Sequence, residues 1–378
     1  MAKEGPLHGI RIVEMTGLGP APLAAQLLAD LGADVVAVDR ASGPADPTDL
    51  NRRNKRSVAL NLKDPRGMRA CRRLIEGSDV LIEGFRPGVM ERLGLGPSEC
   101  LDANPRLVYA RMTGWGQAGP AAATAGHDIN YISLSGALNA VGHKDRPPVP
   151  PLNLFGDYGG GSMFLIFGVL AALIERAQSG KGQVVDAAMV DGVSAMMSVY
   201  YMFQARRTWS SEREANMLDG GAHFYRCYET KDGKAISVGA IEPQFYAELC
   251  ERAGLPHDPP EVQYDKAAWP GLGATFSEVF RQKTRAEWAA IFAGSDACVT
   301  PVLTIEESEE DPHMKAREVL FRGEGDVLQA APAPRFGRTP APAVRAPRGP
   351  GADSAAILAE AGYSAVEIAE MAESGVIT

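Results

Sequence analysis

Two side chains suited to proton transfer, His127 and Asp157, each directly follow a glycine. Histidine can accept or donate a proton near neutral pH, and an aspartate in a partly desolvated site can do the same. Held on opposite faces of one carbon atom, the two groups could remove a proton from one side and return it on the other. On residue pattern alone each has a structural alternative, since His127 could be a hydrogen-bonded histidine and Asp157 a loop or helix cap.

Removing a proton beside a carbonyl group creates an enolate, whose oxygen needs hydrogen-bond donors. The sequence predicts that a helix begins near His127, and the backbone N–H groups of a first helical turn lack partners inside the helix. We therefore expect the backbone N–H of Asp128 to face that oxygen. Asp128 thereby joins His127 and Asp157 as a candidate catalytic residue.

A basic segment spans residues 51–56, Asn-Arg-Arg-Asn-Lys-Arg, in a chain whose formal net charge is −9. Arginine binds phosphate through paired N–H groups and stacks on rings such as adenine. Next to a parallel sheet, whose strand ends form a ligand crevice, the segment predicts a site for a nucleotide-like anion. The alternative is a solvated charged loop. The overall negative charge disfavours wholesale binding of nucleic acid or of an anionic membrane.

The order of the predicted elements indicates an α/β protein. Short β-rich runs alternate with helical patterns through the first half of the chain, at 10–14, 34–39, 58–62, 79–83, 106–112 and 183–188. Strands separated by helices predict a parallel sheet that is covered on both faces.

After Arg206 the pattern changes to a hairpin with an Asp232-Gly233 turn, followed by helices, which predicts a smaller α+β domain. We expect a large Rossmann-like domain at 1–205 and the small domain with its linkers at 206–325. A C-terminal segment at 326–378 is expected to return to the large domain.

The turn after the first strand, Gly17-Leu18-Gly19, partly matches a dinucleotide-binding fingerprint, with Asp39 at the acidic position. Pro22 replaces the third glycine, which close helix–strand packing requires. The turn therefore predicts a Rossmann-like fold without a nicotinamide cofactor. No His and Cys motif with zinc-binding spacing is present in the sequence, so no metal is expected either.

The five cysteines are scattered and form no C-x-x-C pair, which argues against a disulfide framework and favours a reducing compartment. The apolar run Met163–Ile174 is shorter than a membrane-spanning helix and predicts a buried helix. We expect a cytoplasmic protein without membrane insertion.

Four stretches of the sequence together carry a resemblance to a known family. They are Leu-His-Gly-Ile-Arg-Ile-Val-Glu at 7–14, Leu-Gly-Ala-Asp-Val-Val at 31–36, Asp-Val-Leu-Ile-Glu-Gly-Phe-Arg-Pro-Gly at 79–88 and Met-Thr-Gly-Trp-Gly-Gln at 112–117. With them the chain resembles the family III CoA-transferases over nearly its full length. The stretch Gly-His-Asp-Ile-Asn-Tyr at 126–131 resembles the racemases of that family, whereas the transferases usually lack a histidine there.

The resemblance implies epimerisation of (2R)- and (2S)-2-methylacyl-CoA thioesters by a two-base 1,1-proton transfer through an enolate, without metal or nicotinamide. It implies that His127 serves the S-epimer and Asp157 the R-epimer, and that Glu242 partners the histidine. It also implies an interlocked homodimer in which Glu242 arrives from the partner subunit, and a place in fatty acid metabolism.

Ligand contacts follow from the same resemblance. The positions implied to contact coenzyme A are Arg40, Lys63, Arg86 and Arg92. The methionines implied to offer a surface to the acyl chain are Met196, Met197, Met202 and Met217, although for any single one the residue pattern favours a place in a buried core.

Three alternatives remain open. In a true CoA-transferase, Asp157 would be a nucleophile that forms a mixed anhydride with a carboxylate and passes coenzyme A across. His127 argues against that chemistry, because a transferase needs no base on the opposite face. A nicotinamide-dependent oxidoreductase is disfavoured by Pro22, and a CoA-binding protein without catalysis would leave His127 and Asp157 unexplained.

Overall fold

The structure, a computed structural model, describes residues 5–256 and 258–377. Its strands are β1 (Arg11–Met15), β2 (Asp34–Asp39), β3 (Arg56–Ala59), β4 (Val80–Glu83), β5 (Val108–Thr113), β6 (Val184–Ala188), β7 (Tyr225–Glu229), β8 (Ala235–Gly239), β9 (Val299–Pro301), β10 (Leu320–Arg322) and β11 (Leu328–Ala330). Its α-helices are α1 (Pro20–Asp30), α2 (Pro65–Glu76), α3 (Val89–Arg92), α4 (Pro97–Ala103), α5 (Asp128–Leu134), α6 (Phe164–Ser179), α7 (Met189–Met196), α8 (Ser198–Ala205), α9 (Pro243–Ala253), α10 (Pro260–Gln263), α11 (Trp269–Phe280), α12 (Arg285–Phe292), α13 (Ile305–Glu310), α14 (Pro312–Ala316), α15 (Ser354–Glu360) and α16 (Ala365–Glu373). A π-helical segment, Leu154–Met163, leads directly into α6.

The chain divides into two compact units. The first contains the chain up to Ser135, Leu152–Met196 and the chain from Arg317 on, and the second contains Gly136–Pro151 and Met197–Ala316. The domain limits predicted from the sequence differ in detail, because they assign 136–151 and 197–205 to the large domain and 317–325 to the small one.

The first unit is built on a six-stranded parallel sheet with the strand order β3-β2-β1-β4-β5-β6. This is the Rossmann order, in which the direction of strand addition reverses between β1 and β4. Helices α1 and α6 pack on one face, with Leu28 and Val169 in that core. Helices α2, α15 and α16 cover the other face, with Ile75 and Met371 in the core. The predicted α/β class with a covered parallel sheet is confirmed.

The alternative of a solvated loop is wrong, because Arg53 and Lys55 are buried, and the ion pairs of the basic segment argue against the predicted anion site. All four cations of the segment form ion pairs with acidic residues of β1, α1, β2 and α15. The pairs are Arg52–Asp39 at 2.7 Å, Arg53–Asp30 at 2.6 Å, Lys55–Glu14 at 2.6 Å, and Arg56 with both Asp34 at 2.7 Å and Glu360 at 2.8 Å. These pairs tie the β2–β3 connection to the sheet, because each cation has its charge partner inside the fold. Asp39, the acidic residue of the dinucleotide-like pattern, is engaged by Arg52.

The pair of Lys55 and Glu14 yields a stability prediction. The two side chains are 4% and 2% exposed, and Lys55 Nζ also donates to the carbonyl of Pro22 at 2.9 Å. Lys55→Met should lower the free energy of unfolding by about 3–5 kcal/mol, because it leaves the Glu14 carboxylate buried without a partner. Urea denaturation at neutral pH measures the loss. The exposed Lys63→Met is the control, and a loss no larger than that of the control would contradict the prediction.

The second unit contains the antiparallel sheet β7-β8-β9. The predicted hairpin is present, and its turn includes Gly233, whose φ of 70° lies in the left-handed region that favours glycine. Helices α9, α11 and α12 contribute Tyr246, Phe276 and Trp288 to a core rich in aromatic residues. The smaller α+β architecture is therefore as predicted.

The apolar run predicted as a buried helix is only half buried. It lies within one continuous helix, Leu154–Ser179, that is long and apolar enough to cross a membrane by length and composition, as core helices of soluble proteins also can be. One face of α6 packs on β5 and β6, and Leu165 and Val169 are fully buried there. On the opposite face, Phe167 is 70% exposed and Ile174 is 65% exposed. Because the helix is apolar on all sides, its sequence pattern does not indicate which face the rest of the fold covers.

Candidate active site

A cavity of about 230 Å³ opens at the carboxyl ends of β1, β4 and β5. Its walls include Leu18 from the β1–α1 turn, Arg86 from the loop after β4, and Trp115 and His127 from the loop after β5. The cavity therefore lies where the strand order reverses, which is the usual ligand position in an open parallel sheet.

His127 stands directly before α5 and lines this cavity with an exposed side chain. Its backbone N–H donates to Asn130 Oδ1 at 3.0 Å, which fixes the start of the helix. Before it, the carbonyl of Gly126 accepts the Tyr131 hydroxyl, and the Tyr131 ring packs edge-on against Trp115 at 4.7 Å. A Cβ at Gly126 would lie 2.8 Å from Tyr131 and 2.9 Å from Trp115, so the close approach requires glycine.

Asp157 is held within the π-helical segment, a rare geometry that is frequent at functional sites. Asn153 Nδ2 donates to Asp157 Oδ2 at 3.1 Å. The pKa of Asp157 is raised above its ordinary value, chiefly by burial and also by the charge of Asp128. The hydrogen bond from Asn153 and the interaction with His127 act in the opposite direction. A carboxyl group whose pKa is raised in this way is suited to alternate between base and acid.

Asp128 connects the two loops through its side chain. The side chain is buried, and Oδ2 accepts the backbone N–H groups of Gly156 at 2.6 Å and Asp157 at 2.8 Å. A Cβ at Gly156 would lie 2.5 Å from Asp128 Oδ2, so this hydrogen bonding requires glycine there. As predicted, Asp128 is the first residue of α5, where its backbone N–H has no acceptor inside the helix.

Close packing fixes the rest of the π-helical segment. Helix α7 packs on it, and a Cβ at Gly192 would clash with the backbone of Gly160. Ser162 Oγ donates to the carbonyl of Pro20 at 2.7 Å, which ties the segment to the start of α1. The backbone that carries Asp157 is thereby held against two helices of the same unit.

The cations implied to contact coenzyme A are all exposed, and none makes an ion pair with a described residue; they are Arg40, Lys63, Arg86 and Arg92. Arg40 follows β2, Lys63 comes shortly after β3, and Arg86 follows β4. The carboxyl ends of parallel strands meet at one edge of a sheet, so these cations lie at the same edge as the cavity. Their role as CoA contacts stays a prediction.

The loop that carries Arg86 is held by a charge network that the sequence did not indicate, in which Glu83 and Arg111 are buried. Glu83 Oε2 accepts the backbone N–H of Phe85 at 2.8 Å. Glu83 Oε1 accepts from Arg111 Nε at 2.8 Å, and Arg111 also donates to Glu91 Oε1 at 2.8 Å. The network joins β4, β5 and α3, and so it supports the elements on both sides of Arg86.

The remaining predicted residues divide between the two units. Met196 ends α7 in the first unit, is 44% exposed, and lies close to Gly159 of the π-helical segment. Met197, Met202 and Met217 lie in the second unit, where Met202 is 37% exposed and Met217 packs against the core. Glu242 is exposed at the start of α9, also in the second unit. The roles of these five residues stay predictions.

The family model described as CoA-transferase family III matches residues 7–354. The chain belongs to CoA-transferase family III. The resemblance inferred from the sequence motifs is therefore confirmed.

Relatives within family III are similar to the chain over almost its full length. Alpha-methylacyl-CoA racemase of Mus musculus is 44% identical over 366 residues, which cover 97% of this chain and 96% of the mouse protein. Alpha-methylacyl-CoA racemase of Homo sapiens is 46% identical over 372 residues, covering 98% and 97%. A solved structure of a CAIB/BAIF family protein from Brucella suis matches with a TM-score of 0.80 at 26% identity, covering 95% of this chain and 100% of that one.

Proposed function

We propose that this family III protein is an α-methylacyl-CoA racemase that interconverts (2R)- and (2S)-2-methylacyl-CoA. The observation that carries the proposal is that the fold brings His127 and Asp157 into one unit and couples their loops through Asp128. The near full-length identity to two proteins named alpha-methylacyl-CoA racemase supports the same chemistry.

The reaction moves one proton off the α-carbon and another onto it. With the S-epimer bound, neutral His127 removes the α-proton and protonated Asp157 delivers a proton to the opposite face. The enolate oxygen formed between these steps accepts the backbone N–H of Asp128 at the start of α5. The R-epimer reacts with the roles exchanged, and proton exchange with water resets both groups.

We propose that this reaction uses neither a metal ion nor a nicotinamide. A 1,1-proton transfer changes no oxidation state, so it needs no electron acceptor. Asp39, which would bind the ribose of a nicotinamide cofactor, instead accepts hydrogen bonds from Arg52 and from the Ser57 hydroxyl.

The competing function is a CoA-transferase in which Asp157 is the nucleophile. We would incubate the purified protein with a (2S)-2-methylacyl-CoA in deuterated water, without an acceptor acid or added cofactor. The racemase should replace the α-proton by deuterium while the epimers approach an equal mixture. No exchange, followed by transfer of coenzyme A once a free carboxylic acid is added, would identify the transferase instead.

Arg86→Ala should raise the KM for acyl-CoA substrates about tenfold while changing kcat much less, because it removes a charged hydrogen bond to the ligand away from the reacting carbon. Initial rates over a range of substrate concentration separate the two constants. Arg69→Ala removes the same charge from an exposed position of α2 and is the control. An unchanged KM would remove Arg86 from the binding site.

We propose that the protein acts as a homodimer, with the exposed face of α6 covered by a second copy and Glu242 arriving from the partner subunit. Soluble chains rarely leave large apolar patches uncovered, and Phe167 and Ile174 are mostly exposed here. Phe167→Glu should therefore shift the sedimenting species from dimer to monomer. Val366→Glu places the same charge at an equally exposed apolar position of α16, and it should leave the dimer intact.

We further propose that the protein takes part in fatty acid metabolism and that it is cytoplasmic, without membrane insertion. Its described cysteines are free thiols, of which Cys227 and Cys298 are exposed, and this suits a reducing compartment. Cell fractionation of a tagged chain tests the compartment, and a carbonate wash of the membranes tests the absence of membrane insertion.

A further inference from the structure

The core of the second unit contains a histidine that the proposed reaction does not use. His223 lies just before β7, and its side chain is fully buried. Its ring packs edge-on against the rings of Phe224 at 5.2 Å, Tyr246 at 5.4 Å and Phe276 at 5.1 Å. Histidine is the side chain whose ordinary pKa lies closest to neutrality, so an imidazole inside an aromatic core makes the packing of that core sensitive to pH.

The hydrogen bonds of His223 assign a tautomer to the neutral ring. Nε2 lies 3.0 Å from the hydroxyl oxygen of Tyr246, and that hydroxyl donates to Asp258 Oδ2 at 3.3 Å. Because the hydroxyl proton is given to Asp258, Nε2 carries the imidazole proton and donates to the hydroxyl oxygen. Nδ1 is buried and has no hydrogen-bond partner among the described residues. In this tautomer Nδ1 carries a lone pair and no proton.

The surroundings of the ring oppose a second proton. A Cβ at Gly273 of α11 would lie 3.5 Å from Arg226 Nη1 and 3.9 Å from His223 Cβ, so the guanidinium and the histidine are neighbours. Desolvation by burial and the charge of Arg226 lower the pKa of His223 from its ordinary 6.5 to about 4. Tyr228 and Cys250 of the same core stay neutral in acid, because burial raises the pKa of each.

We propose that His223 is an acid-sensitive latch, which holds the chain entering β7 against α9 only while its imidazole is neutral. A second proton would lie on Nδ1, where the described residues offer no acceptor and Arg226 already supplies a positive charge. Protonation therefore favours an opened core, in which solvent reaches the ring. The bond to Tyr246 is the contact that opening breaks, because Tyr246 belongs to α9.

The direction of the effect follows from the two protonation states. Above the ordinary pKa of 6.5 both forms of the core carry a neutral His223, and the closed form has its full stability. As the pH falls from there towards about 4, only the opened form binds the proton, so the closed form loses stability. Between pH 7 and pH 5 the opened fraction should rise about 20-fold.

Opening would also affect the start of α9. Glu242 is the residue directly before this helix, and the N–H of Tyr246 donates to its carbonyl at 3.0 Å. Release of Tyr246 would therefore free the residue predicted to partner His127, and acid would reduce the proposed activity. This consequence rests on the proposed function, whereas the latch itself does not.

The test is hydrogen exchange of the full chain at neutral pH and at pH 5, followed by mass spectrometry of its peptides and corrected for the exchange rate of an unstructured chain. Protection of the α9 amides in the wild type should fall about 20-fold between the two conditions. His223→Gln should keep nearly all of its protection in acid, because glutamine can donate to the Tyr246 hydroxyl and does not titrate. His313→Gln, at an exposed position of α14, should behave as the wild type does.

His223→Phe keeps a ring in the core but cannot bond to Tyr246. It should lower the protection of α9 at both pH values and remove its dependence on pH, so even a destabilised variant tests the latch. An equal fall of protection with pH in the wild type and in both His223 variants would overturn the proposal. Hydrogen exchange does not depend on epimerisation, so failure of the latch and failure of the proposed function are distinguishable.

Discussion

His127→Ala should abolish epimerisation while leaving one of the two half-reactions intact. The variant keeps Asp157, which removes the α-proton of the R-epimer, so the R-epimer should still exchange that proton with deuterated water. The S-epimer should no longer exchange, because the base on its face is gone. Asp157→Asn should give the mirror result, with exchange from the S-epimer alone. Losing one general acid–base group costs about 10²–10⁴-fold in rate, which sets the expected loss of epimerisation.

The measurement follows the α-proton signal of each pure epimer in deuterated water, together with chiral analysis of the recovered acid. His8→Ala is the matched control, because His8 is exposed in the turn before β1, at the amino end of the strands. Its epimerisation rate should equal that of the wild type. Exchange from both epimers in His127→Ala would show that a different residue is the second base. Transfer of coenzyme A that survives this substitution would favour the transferase.

The fold and the glycine-flanked positions of His127 and Asp157 could be predicted because their signals are local. Apolar β-rich runs mark the strands of the sheet, and Asp64-Pro65 marks the start of α2, where Asp64 accepts the backbone N–H of Arg66 at 2.8 Å. His127 and Asp157 stand beside glycines that prove to be sterically required by the packing around their loops. Asn130, three residues after His127, lies at a helix-capping position that the sequence alone could have revealed.

The errors concern side chains whose partners are distant along the chain. Lys55 bonds to Glu14 and Arg53 bonds to Asp30, and nothing in a run of four cations indicates that these two have buried acidic partners. The exposed face of α6 was missed for the same reason, because the side of an apolar helix that becomes buried depends on where the sheet lies. The side-chain role of Asp128 was also missed, since its partners are backbone groups 28 and 29 residues later.

Asp128→Asn should separate the charge of this residue from its hydrogen bonds. An asparagine Oδ1 can still accept the backbone N–H groups of Gly156 and Asp157, so the π-helical segment should keep its position. The negative charge is lost, however, and that charge contributes to the raised pKa of Asp157. The pKa of Asp157 should therefore fall, which makes its protonated form scarcer and its ionised form a weaker base.

Two features of the kinetics should change in Asp128→Asn. With the R-epimer as substrate, Asp157 is the base, so the acid limb of the profile of kcat/KM against pH reports its ionisation and should move to lower pH. At neutral pH the rate should fall in both directions by about tenfold, the effect of a change of about one pKa unit. Asp102→Asn, an exposed aspartate of α4, is the control and should leave the profile unchanged.

Asp128→Ala should lose more activity than Asp128→Asn, because it also leaves the N–H groups of Gly156 and Asp157 without their acceptor. Each buried donor without a partner costs about 1–3 kcal/mol, and the backbone that carries Asp157 should shift to regain hydrogen bonds. Steady-state kinetics should then show a larger fall in kcat than a rise in KM, since the cations predicted to contact coenzyme A are unchanged. Equal activity of the two variants would mean that Asp128 acts through its charge alone. If the acid limb keeps its wild-type position in both variants, Asp128 acts through neither its charge nor its hydrogen bonds.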